Sequence, residues 1–372
     1  MEKNTSNTWN EIRRYLDYQM LVVTLVLFFL GVLAIHSASH VTESYFMIST
    51  FAVKQLMWGA MSIIFYIAIL KIGYEKILEF TIPLFVALVV MFILLLILGH
   101  TSKGAQSWFN FGILRFQPSE IGKVIFAMSL SYLCVKLPPS TLKIVIIECS
   151  FVGIILLLIL LQPDLGSCLV YAFMFFVVLI VAGAPSKILA AMITMAFSML
   201  PVLWFVLKPY QRLRLLVFID PTVDPQGAGY NVIQSRIAVG SGGFIGKGFL
   251  NGTQGRLHFL PEPHTDFIFS VFAEEFGFIG SILVLILFMI LISRMFKAAF
   301  DTRDKKAKIL VSAITAWIWF QVTESIAMSM GLAPVTGLPL PLFSYGGSSL
   351  LAVLIGLALI QSVIIADSKM RF

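Results

Sequence analysis

The sequence predicts an all-α polytopic membrane protein with about ten transmembrane helices and one large extracytoplasmic loop between helices 7 and 8. Two observations carry that prediction. Of its 372 residues 59% are hydrophobic and only 12% charged, about half the charged share usual in soluble domains. Runs such as 20–38, 80–98 and 142–161 are nearly free of charge, and each is long enough to cross a hydrocarbon core of ~30 Å at ~1.5 Å per residue. Backbone groups in lipid have to pair within their own segment, so these runs read as helices.

The spans follow in order. A polar, basic segment (1–19, with Lys3, Arg13 and Arg14) precedes the first run, which is too long for a signal-peptide core and reads as an uncleaved helix. Trp9, Ile12 and Leu16 stand at helical spacing in that segment; a short interfacial helix and a disordered tail both accommodate them. Spans are expected near 20–38, 51–70, 80–98, 119–134, 142–161, 165–182, 188–207, 275–294, 308–330 and 348–366. Sixteen Lys and Arg lie at alternate ends of these spans, including Lys71, Lys136, Lys187, Arg294, Lys306 and Lys369. The opposite short segments hold four: Lys54, Lys103, Arg115 and Lys123. The positive-inside rule therefore places both termini in the cytoplasm, and the 208–266 loop outside. That bias also accounts for the net charge of +7 without nucleic acid. Cys134, Cys149 and Cys168 form no CxxC pair and read as small core residues.

The 208–266 loop is rich in Gly and Pro but also holds Tyr210, Phe218, Tyr230, Ile233, Phe244 and Phe249, a composition that argues against disorder. It ends in FLPEPHTDFIF (259–269). There Asp266 stands where a polar loop meets an apolar run. Asp is a preferred N-cap, yet Glu262 and His264 crowd beside it, with Glu274 and Glu275 just beyond. Carboxylates at membrane depth are costly and need a reason, so capping and chemistry both stand.

A second concentration is Arg115, Glu120 and Lys123, near the outer end of the fourth span. Glu120 and Lys123 are three apart and share a helical face. They form either a self-neutralising pair or, with Arg115, a cationic cradle for a pyrophosphate that Glu120 helps to orient. Asp164 lies in the short outer turn QPDLG (162–166), where Pro and Asp suit a turn on their own account. The glycines of 240–246 lack a preceding strand and dinucleotide spacing. Gly346-Gly347, just before the last span, are either an anion contact or a flexible helix entry. No Walker A or zinc pattern is present; clustered Asp and Glu are able to hold a divalent cation, Mg or Mn.

Taken together and in order, RFQPSEIGK (115–123), QPDLG (162–166), YQRLR (210–214), DPQGAGYNVIQSRIAVGSGGFIGKGFLNGTQ (224–254), FLPEPHTDFIF (259–269) and PLPLFSYGGSS (339–349) resemble the SEDS family (shape, elongation, division and sporulation). GKGFLNGTQ resembles its elongation branch more than its division branch. Glu324-Ser325 departs from the pattern, which has an apolar residue and Asn there. The resemblance implies one membrane domain over 1–372 in the bacterial inner membrane. It implies a glycosyltransferase that polymerises lipid II into peptidoglycan strands during elongation and rod-shape maintenance, by inverting transfer with release of undecaprenyl pyrophosphate. The implied partners are lipid II, the nascent glycan chain, a class B penicillin-binding protein that supplies transpeptidation, and the elongation machinery. The family's essential acidic residue maps onto Asp266, as the base for the attacking hydroxyl or as a group that positions it or holds a cation. Arg115, Lys123 and Arg212 are candidates for the pyrophosphate. Glu120, Asp164, Glu262, His264 and Ser344 complete the expected substrate contacts. Two rival functions fit a chain of this class: a flippase for lipid II, suggested by Glu148, Glu274, Glu275 and Glu324, and a scaffold that activates the transpeptidase. A flippase of the inverted-repeat kind would show paired broken helices, which the sequence lacks.

Overall fold

The computed structural model describes residues 8–39, 48–102, 105–111, 114–256 and 259–371. Lys3, Lys103 and Gly104 lie outside them, as does the side chain of Arg115. The described residues open with a short helix, α1 (Trp9–Tyr15), closed by a capping box in which Thr8 and Glu11 satisfy each other's main-chain N–H. Ile12 is buried and Lys71 lies over the Trp9 ring, so the interfacial helix forms.

Membrane-length helices follow: α2 (Tyr18–Ala38), α3 (Thr50–Ile72), a short α4 (Tyr74–Glu79) and α5 (Thr81–Leu98). The outer segment after α5 folds into a three-stranded antiparallel sheet, β1 (His100–Ser102), β2 (Ala105–Phe111) and β3 (Leu114–Phe116), with Asn110 opposite Arg115. This small sheet is an addition to the all-helical expectation. Its strands are rich in aromatic and alternating residues, which favour a pleated surface. Next come α6 (Pro118–Lys136), started by Pro118, α7 (Leu142–Leu161), α8 (Leu165–Ala182) and α9 (Ser186–Val206).

The large loop is built, not loose. It contains α10 (Pro209–Ile219), a 3₁₀ turn at Pro221–Val223, α11 (Ala228–Ser241) and α12 (Thr253–Arg256). The chain then returns through α13 (Ile268–Asp301), α14 (Lys305–Ser329) and α15 (Gly347–Arg371). Among the described residues, eight helices are long and apolar enough to cross a membrane. The fourth and seventh expected spans correspond to α6 and α9; α6 is made more polar by Glu120 and Lys123, and α9 is apolar over Ser186–Met199. The protein is thus a multi-pass membrane protein.

The core sits on α14 and α15, where Ile314, Trp317, Ile318, Leu357 and Leu359 are fully enclosed. Peripheral helices turn apolar side chains outward instead, among them Ile97 and Leu98 on α5 and Leu157 and Leu160 on α7. That inversion is expected where the surrounding solvent is lipid.

The eighth expected span differs from its prediction. Its helix begins at Ile268 and is interrupted at Gly277, whose φ of 63° is not helical. Main-chain groups from the glycine-rich loop 243–248 enter the break. Lys247 N donates to Glu274 O at 3.0 Å and Gly248 N to Glu275 O at 2.9 Å. In return Phe278 N donates to Gly243 O at 2.8 Å and Ile279 N to Phe244 O at 3.2 Å. The glycines that fail as a dinucleotide motif serve as a backbone splice.

Candidate active site

Asp266 lies in the turn 263–267 just before α13. The N-cap position of that helix falls on Phe267, one residue past Asp266, and Phe267 provides no side-chain cap bond. It is half-buried. A Cβ placed on Gly337 would sit 3.7 Å from its Oδ2; Gly337 of the 331–346 segment is therefore a neighbour of the carboxylate.

That segment holds the acidic turn by several bonds. Ser344 Oγ donates to Thr265 O at 2.7 Å while accepting from Leu340 N at 2.8 Å. Tyr345 N donates to His264 O at 2.9 Å. The His264 ring packs 4.4 Å from Phe51 and 5.8 Å from Tyr345. Gln55 of α3 grips the other side, donating to Ser344 O at 3.2 Å and accepting from Gly346 N at 3.3 Å. Glu262 adopts φ 51° and receives Thr265 N on its carbonyl at 3.2 Å. Glu262, His264, Asp266 and Ser344 are thus one local unit.

The Glu120–Lys123 pair lies elsewhere, inside the bundle. Lys123 is fully enclosed, 2.6 Å from Glu120 Oε1 and 3.1 Å from Gln321 Oε1. Trp317 faces its ammonium at 5.4 Å and donates to the same Gln321 oxygen at 2.7 Å. The amide of Gln321 then donates to Pro339 O at 2.7 Å. Lys123 therefore connects through Gln321 to the segment that backs Asp266, and the self-neutralising pair is what forms.

Asp164 caps α8 through Ser167 N at 2.9 Å and Ser167 Oγ at 2.7 Å, and accepts from Gln117 Nε2 at 3.4 Å. Gln117 N reaches Ser348 Oγ at 3.3 Å, so α6, α8 and α15 begin side by side. Above them Tyr210 donates to Pro163 O at 3.0 Å. Burial raises the Tyr210 phenol above its ordinary range, against the opposing pull of Arg214. Arg212 donates to Phe205 O at 2.8 Å and Leu207 O at 2.9 Å, serving the end of α9. Arg115 is placed on β3 by its main chain.

Two buried carboxylates mark the break in α13. Glu274 meets Lys247 Nζ at 2.6 Å, Thr253 Oγ1 at 2.8 Å and Thr253 N at 2.9 Å. Glu275 accepts from Ser37. Among the described residues no group of three or more His, Cys, Asp or Glu is gathered as a metal cage. Residue types alone did not expose Gln55, Gln321, Thr336 and Gly337. The available signal was a polar face, Gln321 and Glu324 three apart, on an otherwise apolar span.

Comparison with known proteins gives the class. Residues 18–369 match the family model FTSW_RODA_SPOVE, described as a cell cycle protein. The chain belongs to this family. Within it, the peptidoglycan glycosyltransferase MrdB of Escherichia coli K12 is 35% identical over 97% of this chain and 96% of its own. The peptidoglycan glycosyltransferase RodA of Treponema pallidum is 30% identical over 93% and 97%. Among solved structures, a chain of a peptidoglycan synthase complex that coordinates polymerization and crosslinking superposes with TM-score 0.81 and 32% identity, covering 95% of this chain and 99% of that one. The rod shape determining protein RodA of Thermus thermophilus gives TM-score 0.70 and 28% identity, covering 94% and 96%.

Proposed function

We propose that this chain polymerises lipid II, with Asp266 as the group that takes the proton from the attacking hydroxyl. The chain is a peptidoglycan glycosyltransferase of the RodA type, as its relatives are named. The observation that carries the assignment is the local unit at the entry to α13. There Ser344, Tyr345 and Gln55 fix the acidic turn while Gly337 backs the carboxylate.

In the reaction the 4-hydroxyl oxygen of one disaccharide forms a bond to C1 of another. The C1–O bond to phosphate breaks, its electron pair leaves with undecaprenyl pyrophosphate, and the hydroxyl proton passes to the Asp266 carboxylate. A positioned base of this kind contributes typically 10²–10⁴-fold. Glu262 and His264 flank the acceptor hydroxyl in this reading, and Asp164 borders the sugars beneath the 208–266 loop. Arg115 and Arg212 are the cations offered to the leaving pyrophosphate; Lys123 acts from inside, through Gln321. Mg²⁺ typically takes one or two carboxylates together with substrate phosphates; holding such an ion is the alternative role for Asp266, in place of taking the proton. The protein sits in the inner membrane with both termini cytoplasmic, and a class B penicillin-binding protein cross-links what it makes.

The broken α13 is the feature that favours a lipid transporter, since broken helices line transport paths. Its freed main-chain groups are taken by loop 243–248, which makes the break a packed seam and leaves the transferase as the better reading. Purified protein with lipid II, in detergent for polymerisation and in proteoliposomes for translocation, separates the readings. The wild type yields glycan chains and Asp266→Ala yields none, at equal expression and unchanged partner binding. Polymerisation by Asp266→Ala at the wild-type rate would sink the assignment, and translocation without chains would favour the transporter.

A further inference from the structure

Glu324 is the single acidic residue of α14, and a carboxyl in a spanning helix is costly unless it serves something. It is 9% exposed. Thr336 donates to its Oε1, while its Oε2 accepts no hydrogen bond among the described residues. A buried carboxyl with one oxygen unsatisfied is a poor stabiliser of a fold. Its neighbourhood suggests what it does instead.

The residue after Thr336 is Gly337, whose main chain backs Asp266. Glu324 and Asp266 are also close enough for their charges to act on each other. One turn earlier on the same face of α14, Gln321 holds Pro339 O at 2.7 Å. The four residues 336–339 are therefore hung from α14 at both ends, and the carboxylate of Asp266 neighbours the stretch between.

We propose that Glu324 is a positioning residue for Asp266, acting through its hydrogen bond with Thr336 to fix the Gly337 main chain behind the carboxylate. This rests on the reading of Asp266 as the proton acceptor. It also gives the Glu324-Ser325 departure a purpose: an acceptor for Thr336 offered from the helix.

The test compares Glu324→Leu, Glu324→Gln, Thr336→Val and the double variant Glu324→Leu/Thr336→Val, with Asp266→Ala alongside, on purified lipid II. A misplaced reacting group can cost on the order of 10²-fold. Glu324→Leu and Thr336→Val should each lower kcat by about 10–100-fold, with KM for lipid II changed less than about twofold. Glu324→Gln keeps an acceptor oxygen and should restore kcat to within roughly threefold of wild type. The double variant should be no slower than the slower single, because both cut one bond.

Wild-type kcat in Thr336→Val, or in a folded Glu324→Leu, overturns the proposal. So does a Glu324→Gln as slow as Glu324→Leu, which would put the role in the charge, and so do losses that multiply in the double variant. Should Glu324→Leu fail to fold, Thr336→Val against Glu324→Gln decides alone. An inactive Asp266→Ala beside fully active strut variants rejects this inference and leaves the reading of Asp266 intact. An active Asp266→Ala rejects both.

Discussion

Two charged centres stand on either side of the 331–346 segment, Asp266 half-buried in the turn before α13 and Lys123 enclosed in the bundle, and they differ in what holds them. Asp266 is held by its surroundings: its turn is tied by Ser344 and Tyr345, and Gly337 lies beside its carboxylate. Lys123 is held by a partner, Glu120, at full burial. Removing one member of a buried pair strands the other, which costs about 3–5 kcal/mol, whereas replacing both is often neutral. Lys123→Met should therefore lower the melting temperature in detergent strongly, and Lys123→Met/Glu120→Leu should recover most of the loss. The double variant also releases Gln321 from its Lys123 bond, so its polymerisation rate should remain low while its stability returns. Equal stability in the single and the double variant would show that the pair carries no such burden. A reading of the sequence reaches the pairing of Glu120 with Lys123, since three residues on a helix share a face. It does not reach Gln321 as the link onward, because that contact joins positions 198 apart.

The seam in α13 is the element on which the large loop depends. Four main-chain hydrogen bonds from 243–248 enter the helix around Gly277, and Lys247 adds its ammonium to Glu274. Gly246 has φ 87°, and a Cβ there would press into the Glu275 carbonyl oxygen. Gly246→Ala thus meets both a strained backbone and a main-chain clash, of which the strain alone costs about 1–3 kcal/mol. It should unseat the loop, seen as a lower melting temperature and faster protease cleavage between 243 and 254 than in wild type. Unchanged cleavage would mean the loop is held by something other than the seam. The spans themselves were legible from apolar run length, because lipid imposes a length and forbids charge. The break was not: a single glycine in an apolar run is common, and only the approach of a second glycine-rich segment makes it a splice. The same reason left the β1–β3 sheet unread, since seven residues or fewer per strand give little period to detect.

At the scale of the whole molecule, the polar fastenings separate to two ends. At one end Asp17 binds Arg294 at 2.6 Å, Glu11 binds Lys369 at 2.8 Å, Arg303 N reaches Asp367 at 3.3 Å and Ser131 reaches Lys306 O at 2.6 Å. These contacts bring the first and last of the described helices together. Asp164, Asp266 and Ser344 belong to turns at the other ends of the helices they precede. Under the proposed orientation, which rests on the charge bias of sixteen against four Lys and Arg, the first end faces the cytoplasm and the second faces outward. This orientation is testable with single cysteines in a background where Cys134, Cys149 and Cys168 are replaced by serine or alanine. Gln226→Cys, exposed in the large loop, should react with a membrane-impermeant maleimide on intact spheroplasts. Arg303→Cys, exposed between α13 and α14, should react only after the membrane is opened. The reverse pattern would invert the protein and remove Asp266 from the side where the glycan is built. Labelling of both sites on intact spheroplasts would mean an odd number of crossings between 226 and 303 does not hold, and α13 would then have to be read as a helix that enters the membrane without spanning it.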